Sequence, residues 1–148
     1  MNRHMRAFIQ VTGELLGSEP VRRMGQWKHH GPITTLDHSL FVAYLSYRAA
    51  RLFRLDAAAA ARGGLLHDLY AYRNGSYDDH AHLGADYARK LLEKLALTTQ
   101  EETDVICSAI WHHDSKAEVD APMDEILKDA DVIDHSLSDP TKEIKAHE

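Results

Sequence analysis

The sequence predicts an all-α fold, a single compact helical bundle of five to seven helices. Apolar residues recur at three- and four-residue spacings in several segments, residues suited to capping stand just before them, and no alternating strand pattern of useful length occurs. A chain of 148 residues has the length of one domain and buries roughly two thirds of its unfolded surface.

The first segment, residues 5 to 16, places Met5, Phe8, Ile9, Leu15 and Leu16 at helical intervals, weakened by Gly13. The stretch "GSEPVRRMGQWKHHGP" reads as a loop. Next, "TTLDHSLFVAYLSYRAARLFRL" carries Leu36, Leu40, Tyr44, Tyr47, Leu52 and Leu55 in helical register, with Thr34 or Thr35 as cap. Asp56 caps an alanine-rich helix whose Gly63-Gly64 pair admits a close neighbour, and that helix ends near His67-Asp68. The segment "YRNGSYDDHAH" contains Asn-Gly and reads as a loop, after which "LGADYARKLLEKLAL" resumes the periodicity. Thr98 with Glu101 forms a capping box for "TTQEETDVICSAIWHH", and Pro122 suits the first turn of "PMDEILKDADVIDHSL". Residues 138–148 read as a polar tail.

The composition excludes several classes of function. A net charge of −6 argues against non-specific nucleic-acid binding, which needs a basic surface, although a local basic cluster can still hold a phosphate. Cys107 is the only cysteine, so neither an intrachain disulfide nor a thiolate zinc cluster can form, as suits a reducing cytoplasm. No signal peptide and no run of about 18 apolar residues is found, and the expected location is cytoplasmic. Histidine is over-supplied, with 11 copies against 17 lysines and arginines, and it is both the commonest metal ligand and a proton carrier near neutral pH.

The placement of these histidines is informative. His38 lies among Leu36, Leu40 and Phe41, His67-Asp68 follows Leu65-Leu66, His112-His113 follows Ile110-Trp111, Asp131 sits between Ala130 and Val132, and His82 opens a helix. Helices that bury their apolar faces against one another bring such groups to one interior point. A buried carboxylate must be paired, hydrogen-bonded or bound to metal. Imidazole nitrogen mixed with carboxylate oxygen suits divalent iron, manganese, cobalt, nickel or zinc, without selecting among them. His67 and Asp68 diverge by about 100° on a regular helix, so their joint use requires the helix end where they lie.

A histidine, then His-Asp, then a distant aspartate, here His38, His67-Asp68 and Asp131 in "KDADVID", resembles the HD-domain superfamily of metal-dependent phosphohydrolases. The resemblance spans roughly residues 25 to 135, the expected core of the domain. The stretches "HHGPITTLDHSLFVAYLSYRAA" and "AARGGLLHDLY" look like small bacterial members of unassigned substrate. The "GYP" signature of the cyclic dinucleotide phosphodiesterases is lacking, as is the Glu-Asp pair of the guanosine alarmone hydrolases.

The resemblance implies a domain that cleaves a phosphomonoester or phosphodiester of a nucleotide or small metabolite with metal-activated water, with His67 and Asp68 at the chemistry. His38, His67, Asp68 and Asp131 would hold one ion. Asp68 would bridge to a second, held by His82 and by His112 or His113, since one turn cannot direct both of these equally. Phosphate charge needs positive partners, and "RRMGQWKHHG" supplies Arg22, Arg23, Lys28, His29 and His30. His30 and Lys28 are favoured because the resemblance begins there; Arg73 and Lys116 are alternatives.

Other residues receive plainer readings. Asp37, Asp129 and Asp134 orient a ligand or face solvent; His4, His80, His135 and His147 lie on the surface; Trp27 and Trp111 pack; Cys107 fills core space. Two other functions fit the same residues. A mixed-valent di-iron oxygenase of HD fold would use the same four histidines and two aspartates. A non-catalytic module sensing a nucleotide is opposed by the complete ligand set. A homodimer formed through an exposed apolar helix face is left open.

Overall fold

The computed structural model describes residues 2–70 and 79–138. Helix α1 (Arg3–Gly17) starts at Asn2, whose side chain accepts from the Met5 amide at 2.8 Å, and it buries Phe8, Thr12 and Leu15. The stretch expected to be a loop is more ordered. It holds a short helix α2 (Glu19–Arg23), a 3-10 turn (Met24–Gln26) and an antiparallel strand pair, β1 (Lys28–His30) with β2 (Ile33–Thr34). Gly31 turns this hairpin with a φ of 49°, a left-handed conformation that favours glycine. Strands of three and two residues are too short for period-two patterning to announce.

Helix α3 (Thr35–Leu52) begins at a full capping box: the Thr34 hydroxyl accepts from the Asp37 amide and the Asp37 carboxylate accepts from the Thr34 amide. Helix α4 (Ala57–Leu66) is capped by Asp56, whose carboxylate accepts from the Ala59 amide at 3.0 Å. These two helices approach closely, since a Cβ on Gly64 would lie 2.6 Å from the Cα of Ala43. Helix α5 (His80–Leu95) follows Asp79, which takes a left-handed φ of 52°. It begins ahead of the periodicity that announced it, and two residues of offset rotate a side chain by about 200° around the axis.

Helix α6 (Gln100–His112) is capped by Thr99 with Glu102, one residue beyond the expected Thr98 and Glu101. The Thr98 hydroxyl is engaged instead with that of Thr103, at 2.7 Å. Helix α7 (Pro122–Ser138) starts at the expected proline. Helix α3 packs on α4 and α7, α4 on α1 and α6, and α6 on α5 and α7, around a core that includes Leu15, Leu65, Leu66, Leu92, Ile106 and Ile110. Among the described residues no helix is long and apolar enough to cross a membrane.

Candidate metal centre

Three helix ends and two helix faces meet at one point. His38 projects from the first turns of α3, His67 and His113 are the C-cap residues of α4 and α6, His80 opens α5, and Asp131 lies on α7. The two C-caps share a device. His67 Nδ1 donates to the Gly64 carbonyl and His113 Nδ1 to the Ile110 carbonyl, each at 2.6 Å. These carbonyls belong to the last turns of α4 and α6, and the Ile110 carbonyl also accepts from the His113 amide, so each imidazole folds back on its own helix end while its Nε2 is turned inward. His38 Nδ1 donates to the Asp134 carboxylate, and His80 Nδ1 lies 3.6 Å from Asp114 Oδ2.

The Nε2 atoms gather around two carboxylates. His38 Nε2 and His67 Nε2 are 3.1 Å apart, each is 3.2 Å from Asp68 Oδ2, and they lie 3.1 and 3.2 Å from Asp131 Oδ1. The other oxygen of Asp68, Oδ1, faces His80 Nε2 at 3.5 Å and His113 Nε2 at 3.7 Å, with these two nitrogens 3.2 Å apart. All six residues are buried. Asp131 Oδ2 accepts from Lys116 Nζ at 2.9 Å, and Lys116 also donates to the His113 carbonyl.

The charges are strongly coupled. Burial alone would lower the pKa of His38, but hydrogen bonds to Asp131, Asp134 and Asp68 outweigh it and push it up to about 11. Burial is likewise outweighed at His67, where Asp68 and Asp131 push the value up to about 9. Asp68 and Asp131 are held well below the usual carboxylate range despite burial, Asp68 chiefly by the charge of His67 and Asp131 chiefly by its hydrogen bond with His38.

This donor set fits divalent metal. Each of His38, His67 and His113 donates its Nδ1–H to a carbonyl or carboxylate, which leaves Nε2 as the nitrogen that would offer its lone pair to a metal. Two Nε2 lone pairs about 3 Å apart repel unless a cation, a proton or a metal ion, lies between them. Three groups emerge whose donor atoms lie within 4.8 Å of one another: His29, His38 and His135 are all imidazole, whereas His38, His67, Asp68 and Asp131, and then Asp68, His80 and His113, combine imidazole with carboxylate. Their mixed nitrogen and oxygen character matches iron, manganese, cobalt, nickel or zinc.

Several sequence expectations find a different place. His82 does not reach the cluster: it is half-exposed, pairs with Asp79 at 2.9 Å and stacks on Trp111 at 4.0 Å. His80, expected at the surface, occupies the place foreseen for it, because α5 starts early enough to turn His80 inward and His82 away. Of the adjacent pair, His113 faces the centre, whereas His112 donates to the Ser108 carbonyl and lies 3.3 Å from Asp124. Two further residues of α7 reach the site: Asp134, expected to orient a ligand or face solvent, accepts from His38 Nδ1, and His135, expected at the surface, is half-buried and lines the cavity beside the cluster.

A cavity of about 260 Å³ opens onto the cluster, lined by His29, Asp68, His80, His113, Asp114, Asp131 and His135. Among the expected phosphate partners, Lys116 stands at its edge through Asp131, while Arg23 pairs with Glu19 at 3.3 Å on an exposed surface. Lys28 is an exposed residue of β1, and His30 lies opposite Ile33 in the hairpin. Arg73 lies outside the described residues.

Fold and site together define a helical bundle that gathers histidines and aspartates into a centre suited to divalent metal. Residues 35–136 match the HD domain family, and the chain belongs to that family. Ribonuclease Y of Chlorobium luteolum is 33% identical over 136 residues, 90% of this chain and 24% of that protein. Ribonuclease Y of Chlorobium phaeovibrioides is 32% identical over 125 residues, 83% of this chain and 22% of its own length. That of Opitutus terrae is 43% identical over 56 residues, 37% of this chain and 11% of its own. The chain thus spans less than a quarter of the curated relatives it matches. No solved structure matches it.

Proposed function

We propose that the chain is a two-metal phosphohydrolase acting on a phosphodiester, with RNA as the substrate class suggested by the name of its relatives. The reading is carried by Asp68, which turns one carboxylate oxygen to His38 and His67 and the other to His80 and His113. In this reading His38, His67, Asp68 and Asp131 hold one divalent ion, and Asp68, His80 and His113 hold a second. When bound, divalent ions lower the pKa of a coordinated water towards about 7 and polarise a phosphoryl oxygen.

The surrounding residues support that chemistry. Asp134 and the Gly64 and Ile110 carbonyls fix which nitrogen of His38, His67 and His113 faces inward. Lys116 engages the second oxygen of Asp131, leaving Oδ1 for the cluster. Negative carboxylates and histidines dominate the cavity lining, and the net charge of −6 offers a polyanion little general attraction. An RNA substrate is therefore gripped at the reacting ester rather than along its length. A phosphomonoester of a nucleotide or small metabolite is the other substrate of the same chemistry.

The test compares metal-loaded protein on bis(p-nitrophenyl) phosphate, p-nitrophenyl phosphate and a single-stranded RNA oligonucleotide. Diester and RNA hydrolysis are expected, and Asp68→Ala abolishes metal retention and turnover together. Turnover that survives Asp68→Ala, or a loaded protein that hydrolyses none of the three, overturns the reading.

A further inference from the structure

A phosphoryl group brought to this centre carries negative charge that the cavity wall does not answer. Among the described residues the wall is made of histidines and aspartates, with neither lysine nor arginine. A cation stands directly behind it. The ammonium of Lys116 donates to the His113 carbonyl at 2.6 Å and to Asp131 Oδ2 at 2.9 Å. It is thereby tied to one member of each mixed ligand group, since Asp131 stands with His38 and His67, and His113 stands with His80.

The position of this ammonium is set by α7. Lys116 lies between α6 and α7, in a segment anchored by the buried Lys128, which donates to the Glu118 carbonyl at 2.8 Å and to Asp120 Oδ2 at 2.7 Å. The Asp120 amide in turn donates to Glu125 Oε2 at 3.0 Å. Lys128 and Asp131 are three residues apart on α7, so the helix that supplies a candidate ligand also fixes the segment that supplies the cation.

An ammonium carries three N–H groups. Two go to His113 and Asp131, and among the described residues the third has no acceptor. The side chain of Lys116 is 29% exposed, which lets that third N–H meet solvent beside Asp131, a residue of the cavity wall. Charge acts in the same direction. When Asp131 coordinates an ion, its negative charge is shared between that ion and Lys116, and the ammonium retains attraction for an anion. Its bond to a phosphoryl oxygen is charge-assisted and roughly twice as strong as a neutral one.

We propose that Lys116 is a catalytic residue that donates to a non-bridging phosphoryl oxygen of the substrate and offsets the charge that builds there in the transition state. This rests on the reading of the site as a phosphohydrolase. Of the phosphate partners expected from the sequence, it selects the one that the fold ties to both mixed ligand groups.

The experiment compares metal-loaded wild type with Lys116→Gln, which keeps N–H donors but removes the charge, and Lys116→Arg, which keeps the charge. Metal per chain is read by elemental analysis, inorganic phosphate binding by calorimetry, and kcat and KM on bis(p-nitrophenyl) phosphate. Lys116→Gln is expected to retain wild-type metal content while phosphate binding weakens about tenfold and kcat falls about 100-fold, with Lys116→Arg recovering most of both losses. Phosphate affinity and kcat that stay at the wild-type values in Lys116→Gln overturn the proposal. So does a loss of metal in that variant, which makes Lys116 a support for Asp131, or a loss that Lys116→Arg does not recover, which makes it a packing element of its segment. If wild type itself neither binds phosphate nor cleaves the diester, the phosphohydrolase reading has failed and the role of Lys116 goes with it.

Discussion

His80 Nε2 lies 3.5 Å from Oδ1 of Asp68, the oxygen that His38 and His67 do not face. A second ion therefore depends on His80 and not on His82, whose ring stacks on Trp111. His80→Ala is expected to lower bound metal by one equivalent per chain in elemental analysis of protein purified without a chelating tag. His82→Ala should leave the content at the wild-type value. Equal losses in both variants would mean that α5 is set differently from the orientation described above.

Protons compete with metal at this centre, and the direction of that competition is fixed. His38 and His67 are raised from 6.5 to about 11 and about 9, so without metal both imidazoles are charged at neutral pH. A raised imidazole pKa contributes stability that is fully present below about 6.5 and is lost as pH rises through the folded value. The metal-free protein should lose thermal stability between pH 6.5 and 9, as His67 gives up its proton. Metal affinity should climb over the same interval, because loading must displace these protons. Below about pH 4 the depressed carboxylates of Asp68 and Asp131 act in the opposite sense, and stability falls as they are protonated. Melting curves of chelator-treated and reloaded protein across pH check both arms, and proton release on loading is measurable by calorimetry in buffers of different ionisation enthalpy.

Asp134 tests how much the support of a ligand matters. Its carboxylate accepts from His38 Nδ1 and has no place in any of the three groups of candidate ligands. Asp134→Asn retains size but weakens the bond that orients the ring, and a loss of 10- to 100-fold in metal affinity is expected. Competition with a chelating dye measures this, and an unchanged affinity would show that stacking between His29 and His135 holds the ring without that bond.

Much of this architecture is legible in the sequence, and the misses have physical causes. Thr34 and Asp56 announce their helices because a cap is a local device that needs only its own next three residues. The order of His38, His67, Asp68 and Asp131 likewise brings out the four groups that the fold gathers. His80 is obscured because "HAH" offers two histidines whose directions differ by about 200° on a helix, so an error of two residues in the start exchanges them. His29 has no local signal, since its position against His38 follows from the turn at Gly31 and from the pairing of two very short strands. Asp134 and His135 stand at i+3 and i+4 from Asp131, a spacing that places all three on one face of α7 and draws His135 in from the surface expected for it.

The same logic applies to the glycine pair of α4, whose members should respond in opposite ways. A Cβ at Gly64 would meet the Cα of Ala43 at 2.6 Å and its amide nitrogen at 2.8 Å, both backbone atoms that cannot swing aside. Gly64→Ala must push α3 from α4, at an expected cost of about 1–3 kcal/mol. Because the Gly64 carbonyl accepts from His67 Nδ1 and α3 carries His38, that displacement also separates two ligands of one group. Metal affinity should therefore fall along with stability. At Gly63 the nearest atom is Ile106 Cγ2 at 4.0 Å, so Gly63→Ala meets only ordinary contact and gains about 0.5–1 kcal/mol of helix propensity. Denaturant melts and chelator competition on the two variants separate a packing defect that reaches the centre from a stabilising change one residue away that leaves metal affinity as it was.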